Sequence, residues 1–216
     1  MSIRILLVDD HQMMREGLRV LLASEPGLEV VGEACDGRTA LSLVRSLALN
    51  VVVMDIEMPG LNGVESVRLI RAEHPGVKIV ALSMHYDRRF VCRMLDAGAS
   101  AYVPKIDAAN ELVRAVRAVH SGQMYLSPAV AGFVVDRFSH ERADDDTVFT
   151  RLSAREREVL QLVAEGKSSP ATAKLMHISI KTVETHRRNI VQKLDIHGTA
   201  ELTKYAVREG LTSLEC

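Results

Sequence analysis

Five polar residues of this chain stand where short β-rich apolar runs give out. Asp9 and Asp10 follow Ile3–Val8, Asp55 follows Val51–Met54, Ser83 follows Val77–Leu82, and Lys105 comes just after Ala101–Val103. Three carboxylates brought together repel one another, and a divalent cation among them relieves that repulsion. Oxygen ligands with retained waters suit Mg²⁺. A carboxylate beside such a cation and an ammonium can attack a phosphoryl group, because both positive groups neutralise the phosphoryl oxygens. Asp9 or Asp10 taken alone reads more simply as a cap on the next helix. The whole set, one group at each strand end, favours phosphoryl chemistry.

Those residues must be gathered by a sheet. The four runs above, with Glu29–Glu33, alternate with helical stretches near 11–24, 37–48, 63–73, 87–97 and 108–120. Five βα repeats with near-continuous apolar strands predict a doubly wound, five-stranded parallel sheet covered on both faces. In such sheets ligands lie at the carboxyl ends of the strands, beside the topological switch point.

The segments VDDH, MDIEMPGLNG, LSMH and AYVPK resemble, in order and spacing, the receiver domain of two-component response regulators over residues 3–120. The resemblance implies a flavodoxin-like fold with Asp55 as phosphoacceptor. It also implies Mg²⁺ held by Asp9, Asp10, Asp55 and the backbone carbonyl of Glu57, Lys105 as phosphate partner, and Ser83 with Tyr102 as the switch pair. Glu57 and His85 flank the expected phosphate, either tuning acyl-phosphate lifetime or standing as solvated loop residues. The sequence departs from many receivers in one place: Pro104 precedes Lys105, and Ile106 follows it.

From Leu152 onward the pattern is helical. Ser153 and Glu156 form a capping box, and Gly166 marks a stop. A short helix begins at Ser169-Pro170 and ends near Met176. After a turn, a longer one runs from Ile180 to about Leu194, and a last one from Thr199 to about Arg208. Two helices joined tightly, the second basic, make a helix-turn-helix. LSAREREVLQLVAEGKSSPATAKLMHISIKTVETHRRNIVQKL resembles the LuxR/NarL helix-turn-helix. Val183, Ile190 and Leu194 share an inward face, and His186 lies nearer to it. Glu184, Thr185 and Arg188 point away, toward base edges. Lys181, Thr182, Arg187 and Lys193 suit phosphate contacts. Where members of that family carry a large aliphatic residue, Thr172 stands here and removes buried apolar surface.

Composition bounds the function. The 216 residues hold three distant cysteines, Cys35, Cys92 and Cys216, which fits a reducing cytosol and neither a zinc site nor a disulfide framework. The first residues read as a buried strand rather than a signal peptide, and no apolar run is long enough to span a membrane. Residues 1–120 carry 14 basic and 15 acidic side chains, 121–150 carry 2 and 5, and 151–216 carry 11 and 8. A basic end behind an acidic connector suits nucleic acid.

The expected organisation is a receiver domain (1–120), a linker with a short helix from Ser127 (121–150), and a small all-α helix-turn-helix domain (151–216). The expected function is a cytoplasmic DNA-binding regulator phosphorylated on Asp55 by a sensor histidine kinase. It would dimerise when phosphorylated, bind an inverted repeat in double-stranded DNA, and turn over no substrate. A haloacid-dehalogenase-like phosphatase would want DxD at the first strand, which VDDH lacks. A phosphorylation-independent regulator of the same architecture is the other alternative, although every receiver residue is retained.

Overall fold

The computed structural model describes residues 2–85, 87–139 and 151–212. The chain divides into two compact units, one holding the sheet and its helices, the other the helices from Ala154 onward.

In the first unit, β1 (Ile3–Val8), β2 (Leu28–Ala34), β3 (Val51–Asp55), β4 (Lys78–Ser83), β5 (Ala101–Pro104) and β6 (Tyr125–Leu126) form one sheet in the order 2-1-3-4-5-6. All pairs are parallel. The central strands are apolar throughout because both faces are covered. Helices α1 (Gln12–Ala23) and α5 (Ala108–His120) pack one face, where Leu18, Leu22, Leu112 and Val116 meet Ile5, Leu7, Val53 and Val80. Helices α2 (Gly37–Ser46), α3 (Gly63–Glu73) and α4 (Arg88–Ala97) form a contiguous series. The order reverses between β1 and β3, so the switch point lies between Asp9 and Asp55.

The sheet has six strands rather than five. β6 lies inside the stretch read as linker, and two residues are too few to leave a periodic signal. Gly122, at φ 86°, turns the chain after α5, and Ser127 N–H then bonds Tyr102 O at 3.1 Å. Helix α6 (Pro128–Ser139) follows, with proline at its first position. The Ser127 hydroxyl does not cap it: that oxygen is buried and has no hydrogen-bond partner among the described residues. The polar connector beyond it lies outside the described residues.

The second unit contains α7 (Ala154–Ala164), α8 (Ser169–Met176), α9 (Ile180–Leu194) and α10 (Thr199–Arg208). The Ser153–Glu156 capping box is formed, and Gly166 leaves α7 at φ 76°. Ser168 caps α8 with Pro170 in its first turn, and Ser179 caps α9. Val159, Leu160, Met176, Val183, Ile190, Leu194, Leu202 and Tyr205 form the core.

Candidate functional site

The strand ends converge as the apolar runs require. Asp55 and Ser83 are the last residues of β3 and β4, and Lys105 opens a 3₁₀ turn (Lys105–Asp107) directly after β5. Lys105 Nζ donates to Asp55 Oδ2 at 2.7 Å and lies 2.8 Å from Asp9 Oδ2. Asp9 and Asp55 are each 1% exposed and Lys105 is 8% exposed. One ammonium therefore bridges two buried carboxylates. Burial pushes the Asp55 carboxyl up to about 7, with Lys105 pulling it down and Asp9 adding to the rise. Lys105 is also held above its ordinary value; burial opposes this, but the Asp55 and Asp9 carboxylates outweigh it.

Neither Asp9 nor Asp10 caps α1. The N-cap is His11, and Asp9 Oδ1 instead accepts His11 N–H at 2.8 Å. Asp9, Asp10, His11 and Asp55 each offer one ligand atom, all within 4.8 Å of one another. Asp9 Oδ2 and Asp10 Oδ1 are shielded from solvent, and each is met by an ion-pair partner rather than by a backbone donor. Their near neighbours are cationic or potentially so: Lys105 Nζ, and His11 Nδ1 at 2.8 Å from Asp10 Oδ1. Three carboxylates gathered in a shielded site need more compensating charge than one ammonium gives, and a hard cation with a preference for oxygen ligands supplies it. The three acids therefore fit a divalent cation. His11 is the member of this group that the sequence reading passed over; its place directly after the acid pair was the available signal.

Glu57 reaches Asp55 through its backbone N–H, which donates to Asp55 Oδ1 at 3.2 Å. Its side chain turns to His85, with Oε1 at 2.8 Å from Nε2, and the His85 ring stacks on Phe90 with centroids 4.6 Å apart. Ser83 and Tyr102 are both fully buried and meet at the same residue. Ser83 Oγ accepts His85 N–H at 2.9 Å, and Tyr102 O–H donates to His85 O at 2.6 Å. Gly63 allows α3 to start here, since a Cβ would fall 2.3 Å from Asp55 O. Pro104 ends β5 beside Ser83 with no cis bond among the described residues, and the proline-first loop still delivers Lys105 to both acids.

In the second unit, Val183, Ile190 and Leu194 are buried, while Lys181, Thr182, Glu184, Thr185 and Arg188 are exposed. His186 is half-buried, and its Nδ1 has no partner among the described residues. Several candidate residues are engaged internally. Glu184 Oε1 accepts from Ser169 Oγ, and Arg187 Nη1 lies 3.5 Å from the same hydroxyl. Lys193 Nζ sits 2.7 Å from Oε2 of Glu156, a carboxylate only 3% exposed. Thr185 Oγ1 donates to Lys181 O at 2.9 Å. Sequence reading missed Ser169 and Glu156 as partners because they come from α8 and α7, whose packing against α9 leaves no local trace.

Residues 5–117 match the response regulator receiver domain, and residues 150–206 match the luxR family of bacterial regulatory proteins. Response regulator UvrY of Escherichia coli K12 is 36% identical over 214 residues, covering 99% of this chain and 97% of its own. A LuxR-family two-component response regulator from Aurantimonas sp. SI85-9A1 matches at 38% identity and TM-score 0.62, over 65% of this chain and 100% of its own. A complex of the response regulator RcsB with DNA matches at 26% identity and TM-score 0.60, over 95% of this chain and 98% of its own. With a receiver-type acid site in its first unit and a luxR-type helix-turn-helix in its second, this chain belongs to the DNA-binding response regulators of two-component systems.

Proposed function

We propose that a sensor histidine kinase transfers a phosphoryl group to Asp55, and that this controls dimerisation and DNA binding by the helix-turn-helix. The observation that carries the reading is the Lys105 ammonium bridging the buried carboxylates of Asp9 and Asp55. An Asp55 oxygen attacks the phosphorus of the phosphohistidine. A P–O bond forms as the P–N bond breaks, and the histidine nitrogen leaves. Mg²⁺, held by Asp9, Asp10, Asp55 and the Glu57 carbonyl, would neutralise phosphoryl oxygens during transfer.

Once Asp55 carries the phosphoryl group as an acyl phosphate, Lys105 has lost the carboxylate charge as its partner, and the ammonium turns to the phosphoryl oxygens. The Ser83 hydroxyl is the nearby donor for another of them. If it turns inward, His85 N–H loses its acceptor, and the backbone that also holds Tyr102 must shift. Two buried side chains thereby convert a local charge change into movement of the β4–α4 loop.

The output surface is α9. Arg188 is exposed without a partner among the described residues, and it suits a guanine edge. Lys181 and Thr182, at the helix N-terminus, suit a phosphate. A homodimer on an inverted repeat would place two such helices one DNA turn apart. Among the described residues no helix is long and apolar enough to cross a membrane; a cytoplasmic location fits this reading. No turnover of a separate substrate is expected, only slow loss of the acyl phosphate.

The test is labelling with acetyl phosphate and Mg²⁺. Wild-type protein should be labelled and Asp55→Asn should not. Persistent labelling of the variant at another residue would place the nucleophile elsewhere.

A further inference from the structure

The turn between β1 and α1 carries two of the three acids, and it is held by a residue the proposed transfer does not use. Asp9 N–H makes the last bond from this strand to β2, donating to Ala34 O at 3.2 Å. The Asp9 carbonyl beyond it is taken by Arg15, whose Nη1 donates at 2.6 Å. The same guanidinium is anchored on β2, with Nε 3.1 Å from Glu33 Oε2, and its side chain is only 17% exposed. Arg19 also faces Glu33, at 3.5 Å from Oε1, and is 51% exposed.

That carbonyl belongs to the planar peptide joining Asp9 to Asp10. Fixing its oxygen fixes the plane, and with it the direction in which Asp10 leaves the strand. The Asp9 carboxylate is fixed from the other side, by His11 N–H. Mutual repulsion pushes these acids apart, and a peptide free to swing would let them separate. We propose that Arg15 is a positioning residue for the divalent-cation site of Asp9, Asp10 and Asp55, with Glu33 as its anchor. The proposal rests on reading that cluster as a cation site. Loss of a group that orients a metal ligand from behind typically costs about ten- to a hundredfold in affinity.

Electrostatics alone predicts the opposite sign, which makes the idea sharp. A bystander arginine beside a cation site repels the cation, so removing it should tighten binding. Removing a positioning arginine should weaken it. Mg²⁺ affinity of the full chain, measured by titration calorimetry at fixed pH and ionic strength, separates the two. Arg15→Gln should weaken Mg²⁺ binding about tenfold, the lower end of the range for such outer groups. Arg19→Gln removes the same charge from the same carboxylate without touching Asp9 O, and should leave affinity unchanged or tighter. Arg15→Lys keeps the charge and one donor but cannot hold Asp9 O and Glu33 together, so it should fall between Arg15→Gln and wild type.

Affinity in Arg15→Gln equal to or tighter than wild type overturns the proposal, as does an equal loss in Arg19→Gln. If Arg15→Gln does not fold, equal affinities of Arg15→Lys and Arg19→Gln overturn it instead. Wild-type protein that binds no Mg²⁺ overturns the cation site and this proposal together. Wild type that binds Mg²⁺ and is labelled on Asp55, beside an unaffected Arg15→Gln, overturns the positioning role alone.

Discussion

The acid site and the recognition helix hold their candidate residues in different ways. At the strand ends, Asp9, Asp55, Ser83, Tyr102 and Lys105 are all nearly or fully buried, and each is placed at or directly after the end of a strand or beside one. On α9 the candidates lie on a half-solvated surface, where Glu184, Arg187 and Lys193 have found partners inside their own domain. A buried charge must be paired where it stands, so its neighbours define its chemistry. An exposed charge has alternatives, so its neighbours in the free protein only compete with the ligand.

The largest effect should come from breaking the buried bridge. Lys105→Ala should still accept a phosphoryl group yet lose the whole phosphorylation-dependent gain in DNA affinity, because nothing then ties the phosphate to β5. Binding measured with and without acetyl phosphate checks this; an undiminished gain would make Lys105 dispensable for output.

On the surface side the effects are graded. Arg188→Ala should weaken specific binding by about 1–3 kcal/mol and relax preference at one base pair. Titration on selected and scrambled DNA at several salt concentrations reads both. Equal losses on the two DNAs would mean that the recognition face is misplaced. Lys193 sharpens the contrast. The sequence suggests a phosphate contact near the end of the helix, whereas the folded domain pairs this ammonium with Glu156. Lys193→Ala should therefore destabilise the domain by about 1 kcal/mol, the scale of a partly exposed charge-assisted hydrogen bond. Loss of non-specific DNA affinity and of one unit of salt slope, at unchanged stability, would instead favour the phosphate contact.

The same pair has a pH signature. Burial raises the Glu156 carboxyl, but Lys193 and Ser153 outweigh it and hold the group below its ordinary 4.5. A depressed folded-state value stabilises above the unfolded one. That contribution should disappear as pH falls below 4.5 through the folded value. Glu156→Gln should flatten this part of the stability–pH curve. The smallest effect is a gain. Thr172 is fully buried, and its hydroxyl has no partner among the described residues. Thr172→Val keeps the shape and removes the orphan, so it should raise domain stability by up to about 1 kcal/mol, read as a higher unfolding temperature.

What the sequence made legible follows the same division. Strand ends were readable because an apolar run must stop where a polar residue appears, and Asp9, Asp55 and Ser83 stop them. The helix starts at Ser153 and near Ile180 were readable because capping and turn signals are local. β6 was not, since two residues held by β5 carry no period of their own. The orphaned hydroxyl of Ser127, and the partnerships of Ser169 with Glu184 and of Glu156 with Lys193, depend on segments distant in sequence or on space left around a hydroxyl. Spacing along the chain does not encode those.

In the proposed mechanism, charge chemistry at Asp55 sets the affinity of the recognition helix. The direct measurement is the dissociation constant of the full chain for its selected DNA site, with and without acetyl phosphate and Mg²⁺, for wild type and Asp55→Asn. Wild type should bind more tightly after phosphorylation, and Asp55→Asn should bind equally in both conditions. An equal gain in Asp55→Asn, or no gain in a wild-type protein shown to be phosphorylated, would break the link between Asp55 and the recognition helix.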